Sequence, residues 1–440
     1  MKLHWCVFLL GFVCAFANLC CAQATVVADD PAFKTVPFEK WIAEGDQGKF
    51  RLNARITAGE LSNHHRLKTK IDLQVDGNDL TSRRGHGFLV MLAQFEDSDH
   101  RLYRSHGVLD LQQVTEAAAK SDFVFTQEAF VRPGDYTVSL VVFDTQTGEH
   151  SALQRKTHTN PLRNDPFPAA WEHLPAVEFI GTGDAPDIWY LPLIEGKPEL
   201  SLKSRRPLDI EVFVNASPAA TNNAQRSGQI DSRSLGVLLP ALKVISQVKV
   251  ANGKTSVTLL DLTRQKILFE QTLARDGGLE WAPLRASLIE ADPNKIDARS
   301  LAQRRGNAQF FIAQVKQRLA PEAAPRPDSA STIGIVLSGP MGFESGEDRH
   351  PIEGTSIPPG WLFYVRYHGE VPVLPDPLAD FQRNGRRGIG VPMPPQPVFR
   401  EPVDGMVNLI KPLQPRVFDV YTPEQFRKAL STILDELSKL

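Results

Sequence analysis

Leu208-Asp-Ile-Glu-Val-Phe-Val214, running straight into Asn215-Ala-Ser-Pro-Ala219, is the stretch on which the fold turns. Five of its first seven residues are apolar, and the run stops abruptly in small and polar side chains. It reads as a strand ending in polar, small residues, with helices and further strands expected to follow it. The downstream sequence supplies them. Leu235, Leu238, Leu239, Leu242, Ile245 and Val248 recur at helical spacing. Residues 256–260 and 266–271 read as a strand pair around Asp261-Leu-Thr-Arg264, 281–289 as a short helix, and 297–319 as a longer helix with Leu301, Phe311, Val315 and Leu319 turned inward. Thr332-Ile-Gly-Ile-Val-Leu337, residues 361–367 and Arg416-Val-Phe-Asp-Val420 are further strands. Thr422-Pro423-Glu424-Gln425 opens the final helix, with an N-cap, a proline at the first helical position and a glutamine placed for a capping box. This order predicts an open, mostly parallel, Rossmann-type sheet over 207–440 with helices on both faces. In such a sheet ligands bind beyond the carboxyl ends of the strands, here around 215–219 and 338–348.

Upstream the period changes. Residues 49–160 form short alternating runs broken by Asp76-Gly77-Asn78, Pro133-Gly134-Asp135 and Thr147-Gly148, which predicts an antiparallel β-sandwich. Only 112–120, with its alanines, reads as helix. Tyr136 opens a strand after Pro133-Gly134-Asp135 and resembles the corner tyrosine of immunoglobulin-like domains; a core tyrosine beginning any strand fits equally. Eight prolines between 161 and 207 exclude regular structure over much of that span, yet Trp171, Phe179, Ile180, Trp189 and Tyr190 are too apolar for a solvated linker. A packed connector over 161–206 is expected.

Residues 1–24 read as a secretory signal: Lys2, an apolar stretch over 3–17, and Ala22-Gln23-Ala24 as a small-x-small cleavage site. An uncleaved anchor is the alternative, but the stretch falls short of the ~20 apolar residues that span a bilayer. All four cysteines (Cys6, Cys14, Cys20, Cys21) lie in this segment, so a mature chain beginning with the extension 25–48 would carry none. Disulfides, Cys-based zinc sites and thiol nucleophiles would go with them. The 440 residues hold 49 Lys plus Arg against 51 Asp plus Glu, so no strongly basic surface invites nucleic acid. The expected address is extracytoplasmic, secreted or periplasmic, with no stable membrane span after cleavage.

The element order after Pro207 resembles a von Willebrand factor A domain, and the whole layout resembles bacterial secreted proteins related to that family. The resemblance implies a metal-ion-dependent adhesion site, built from Asp-x-Ser-x-Ser after the first strand with a Thr and an Asp from later loops. Here Asn215 stands for the leading Asp and Ala219 for the second Ser, leaving Ser217 in place. Ser338-Gly339-Pro340 occupies the position of a later acidic residue. A divalent cation needs several hard oxygens and a charged carboxylate, so the resemblance implies a degenerate site, with no cofactor and Mg²⁺ disfavoured. Glu344 and Asp348, in the loop Gly342-Phe-Glu-Ser-Gly-Glu-Asp348, are the nearest carboxylates in sequence that could replace the missing one.

No His-Glu-x-x-His, Gly-x-Ser-x-Gly or Gly-Lys-Ser/Thr occurs, and the histidines are scattered. Ten prolines and the basic run Arg383-Asn-Gly-Arg-Arg387 mark an insertion at 371–415, able either to dock on aromatic grooves or to wrap its own domain. The expected function is a non-enzymatic, exported binding protein with a protein partner. Its binding-loop residues would be Asn215, Ser217, Ser338, Glu344 and Asp348. The alternative is a metal-assisted or hydrolytic enzyme using the same loops.

Overall fold

A computed structural model describes residues 25–26, 30–45, 48–85, 87–180, 194–217, 232–274, 278–291, 306–319, 330–343, 361–368 and 404–440. The chain divides into two compact units. The first contains residues 1–60, 67–161 and 175–181; the second contains 61–66, 162–174 and 182–440.

In the first unit the elements are β1 (Thr25–Val26), α1 (Phe38–Glu44), β2 (Leu52–Ile56), β3 (Glu60–Leu61, at the unit's border), β4 (Leu67–Val75), α2 (Gly77–Ser82), β5 (Phe88–Glu96), β6 (Arg101–Asp110), β7 (Phe123–Val131), β8 (Gly134–Asp144), β9 (His150–Thr159) and β10 (Val177–Ile180). Two sheets result, in the orders β1-β6-β5-β8-β9 and β10-β7-β4-β2. Their pairings are antiparallel, apart from the short parallel pair of β1 with β6. Strand β4 alternates buried and half-buried residues along its whole length, the period of a strand with one face in the core. Phe95 of β5 meets Phe179 of β10 edge-on at 5.7 Å and 72°. The Tyr136 hydroxyl lies 2.8 Å from the carbonyl of Arg132 and 3.1 Å from that of Ala176, pinning the start of β8. The alanine-rich 112–120 is not an α-helix: it forms two 3₁₀ turns, Leu111–Gln113 and Glu116–Lys120, because only isolated residues such as Leu111 find core to bury against.

In the second unit the elements are β11 (Leu200–Leu202), β12 (Leu208–Asn215), α3 (Ser232–Ile245), β13 (Val248–Val250), β14 (Thr255–Asp261), β15 (Lys266–Leu273), α4 (Trp281–Ala291), α5 (Asn307–Leu319), β16 (Ser331–Ser338), β17 (Leu362–Tyr367), α6 (Gly405–Ile410), β18 (Arg416–Val420) and α7 (Pro423–Leu437). A six-stranded sheet runs β15-β14-β12-β16-β17-β18. Strand β12 is central, parallel to both β14 and β16, and β17 and β18 extend the sheet in parallel. One edge is different, since β15 returns antiparallel beside β14. The expected fold class is corrected here. The chain is β-rich, with antiparallel and mixed sheets, and the second unit carries a mixed sheet rather than an open Rossmann-type one. The cause is the tight turn between Asp261 and Lys266, since so short a connection can only reverse a strand, whereas a parallel neighbour needs a crossover of a dozen residues or more. Among the described residues, wholly parallel pairing is confined to the two-stranded sheet β11-β13. Val248, expected on a helix face, sits in that sheet.

Two cores flank the six strands. One gathers Val212 and Val214 with Leu238 and Leu242 of α3, Leu284 and Leu288 of α4 and Phe426 and Leu430 of α7. The other gathers Phe213 and Tyr364 with Phe311 of α5 and Met406 of α6. The capping box of α7 is complete, and its core stripe is buried. Within this unit Arg427 of α7 is also buried, donating from Nε and one NH₂ group to Asp165 and lying over Trp171 at 5.2 Å. His65 packs on Phe426 at 4.4 Å. Burial, with Arg427 and His64 adding to it, lowers its imidazole to about 3, so it stays neutral at ordinary pH.

Candidate functional site at the carboxyl edge of the six-stranded sheet

Strand polarity brings Asn215, Ser217, Asp261 and Ser338 together, because β12, β14 and β16 all end at one edge. All four are almost wholly buried. Asn215 Nδ2 donates to Ser338 Oγ at 2.9 Å and approaches Met341 Sδ at 3.4 Å, while its Oδ1 accepts the Ser217 amide N–H at 3.0 Å. Ser217 Oγ accepts from the amides of Leu262 (2.7 Å) and Thr263 (3.2 Å) and donates to Asp261 Oδ1 at 3.3 Å. One hydroxyl therefore holds the turn that follows β14. Asp261 Oδ1 also accepts the Arg264 amide at 3.0 Å, and Oδ2 stands 3.6 Å from Arg264 Nε. Burial nevertheless raises the Asp261 carboxyl above its ordinary value, against the opposing pull of these donors.

The donor set does not suit a divalent cation. Both hydroxyl lone pairs of Ser217 are taken by amides and its proton by Asp261, which exhausts a serine's capacity. Asn215 turns its NH₂, not its oxygen, toward Ser338. A cation would have to displace these bonds and then find several hard oxygens. Glu344 and Asp348, the expected source of a replacement carboxylate, lie outside the described residues. Of the expected site residues, then, the fold joins Asn215, Ser217 and Ser338.

The network runs on through residues that sequence reading passed over. Ser338 Oγ donates to the Gly339 carbonyl at 2.7 Å. Tyr364 Oη lies 3.4 Å from the same carbonyl and 3.0 Å from Asp404 Oδ2. Asp404 accepts four donors: the amides of Met341 (3.2 Å) and Met406 (3.1 Å) on Oδ1, and Tyr364 with an Arg366 NH₂ (3.3 Å) on Oδ2. It thus caps α6 and clamps the 339–341 turn at once. Burial, then the Asp404 charge, pushes the Tyr364 phenol up. Arg366 Nε donates to Asp419 Oδ1 at 2.6 Å, and His368 Nε2 lies 2.7 Å from the same oxygen. The Arg366 hydrogen bond, joined by His368, holds the Asp419 carboxyl below its ordinary value. The His368 ring stacks on half-exposed Tyr421 at 4.2 Å and 11°. A signal for this part existed. Arg366 is the one charge of β17 and Asp419 the one acid of β18, and the two strands pair them in register.

Chemically the arrangement is a set of polar groups that mostly satisfy one another, with Asp261 Oδ2 accepting no hydrogen bond and facing the Arg264 guanidinium at 3.6 Å. Among the described residues it shows no hydroxyl held against a histidine base, the geometry of an activated nucleophile.

No protein-family model matches the sequence, and no curated protein does. Among solved structures, the ApaA protein of Bordetella pertussis aligns at 13% identity over 26% of this chain and 97% of its own, with a TM-score of 0.17. The β-glucuronidase of Parabacteroides merdae aligns at 9% identity over 73% of this chain, which spans 34% of that enzyme's length, again with a TM-score of 0.17. At such scores neither likeness bears on fold or function, and neither indicates a von Willebrand factor A domain. Among the described residues no helix is long and apolar enough to cross a membrane.

Proposed function

We propose that this is an exported, non-enzymatic protein that binds a protein partner through the loops following β12, β14 and β16, without a metal bridge. One observation carries the reading: the polar atoms of the sheet edge are largely spent on one another, and Asp261 Oδ2, which accepts no hydrogen bond, faces the Arg264 guanidinium. Ser217 has no lone pair left, Asp404 has four donors, and Asn215 offers an amide where a cation needs charge. Groups so engaged hold the shape of a turn but have little capacity to act as nucleophile or metal ligand. Thr263 and Phe343, only partly buried, stand on the held turns and are suited to contact. The signal-like residues 1–24 support the address, and the near-neutral charge disfavours nucleic acid.

The test places a photoactivatable phenylalanine analogue at Thr263, at Phe343 and, as a reference on the first unit, at exposed Val124. Cross-linking in the producing cell should give a discrete protein adduct from the first two positions, with equal yield in Mg²⁺ and in EDTA. Adducts from Val124 alone, or adducts abolished by EDTA, overturn the reading.

A further inference from the structure

At the opposite edge of the same sheet a cleft of about 200 Å³ opens between the loop before β11, the α3–β13 turn and the far end of the β14–β15 hairpin. Lys197, Lys249 and Lys254 line it, with Glu199 as the one carboxylate on its wall among the described residues. Lys249 pairs with Glu199 at 3.1 Å, both side chains about half exposed, and Lys254 reaches Asp209 only at 3.9 Å. Exposed pairs of this kind contribute little and exchange readily. Lys197 has no carboxylate partner among the described residues. Its ammonium converges instead with the Gln247 side-chain amide. A methyl group placed on Gly278 would sit 3.6 Å from Gln247 Nε2 and 3.8 Å from Lys197 Nζ. Two side-chain nitrogens therefore lie within 4 Å of one open point on the wall of a cationic cleft, Gln247 Nε2 also donating to Ser246 Oγ at 3.3 Å.

We propose that this cleft binds a tetrahedral oxyanion, a phosphate group. Charge and donor number decide the class. Three ammonium groups stand against Glu199 on the wall and Asp209 beside Lys254, an excess of one positive charge. The oxygens of a phosphate carrying about −1.5 to −2 at neutral pH can accept from more donors at once than the two oxygens of a carboxylate. The group is either free phosphate or the end of a phosphomonoester, and both present the same oxygens. The cleft is remote from the carboxyl edge, so this site stands or falls independently of the partner-binding proposal.

Calorimetric titration of the full chain with inorganic phosphate, at constant ionic strength set with chloride, tests it. Saturable one-site binding is expected, about tenfold weaker in Lys197→Gln, as loss of one charge-assisted contact implies. Gly278→Ala sharpens the test, because its new methyl makes only ordinary contacts with its neighbours yet occupies the point the donors share. It should weaken phosphate severalfold with an unchanged melting temperature. Acetate should not compete. Glycerol phosphate binding more tightly than phosphate identifies an ester as the ligand, and equal binding identifies the free ion. Absence of saturable binding, equal competition by acetate, or identical affinity in both variants overturns the proposal.

Discussion

Asp261 and Asp419 stand at the ends of β14 and β18, on one edge of one sheet, and their carboxyls are displaced in opposite directions. Asp261 is 1% exposed, and burial pushes it up even though Ser217 and the Arg264 amide donate to it. Asp419 is open to water on one side, and Arg366 with His368 pulls it down. The difference teaches that hydrogen bonds alone do not set the state of a carboxylate here. What matters is the balance with burial: the Arg264 guanidinium stands 3.6 Å from Asp261 and burial still prevails, whereas Asp419 keeps its contact with water and bonds directly to Arg366. The β12–β14–β16 half of the edge is sealed, and the β17–β18 half is poised at the surface.

Breaking the joint between the halves should have the largest effect. Asp404→Ala takes the acceptor from two buried amides and removes one partner each from the Tyr364 hydroxyl and the Arg366 guanidinium, and should cost about 2–4 kcal/mol in urea unfolding. Ser217→Ala, inside the sealed half, strips two amides of their acceptor and should cost about 1–3 kcal/mol. A cost near zero would show that the turn after β14 is held by something else.

The two carboxylates themselves give the sharper test. A raised folded-state carboxyl binds its proton before the unfolded chain does. The Asp261 contribution therefore rises as pH falls through its folded value toward the unfolded value of about 4. Asp261→Asn should remove that acid-side gain while changing stability at neutral pH by no more than about 1 kcal/mol, since the amide oxygen keeps its donors. Asp419 behaves oppositely. Its contribution is full above about pH 4 and is lost as pH falls through its lowered folded value. With a half-exposed side chain, Asp419→Asn should cost well under about 1 kcal/mol, and the cost should vanish in strong acid. Unfolding curves collected between pH 3 and 7 check both, and parallel profiles for the two variants would erase the distinction.

How much of this could be read from the sequence follows the same division. Asn215, Ser217 and Ser338 were legible because each closes an apolar run, and strand polarity then brings such endings together. The edge hairpin was legible as a strand pair, but its consequence for the class of sheet was not drawn from the shortness of its turn. Asp404 was invisible: it precedes a short helix inside the proline-rich stretch 371–415, and only the folded chain brings it to Tyr364. His368 read as a scattered histidine because its partner lies 51 residues on, joined only by the register of β17 and β18.

The central position of β12 has a consequence for how the molecule comes into being. Its two neighbours are made at different times: β14 soon after, but β16 only once residues 216 to 330 have been added. During synthesis this central strand must wait, half-paired, with one row of amides and carbonyls unanswered. Parallel partners so distant in the chain form slowly, because the intervening loop must be closed before any contact rewards it. The nascent chain thus passes through an interval in which β12 presents a sticky edge, and a holding chaperone would find its natural client there.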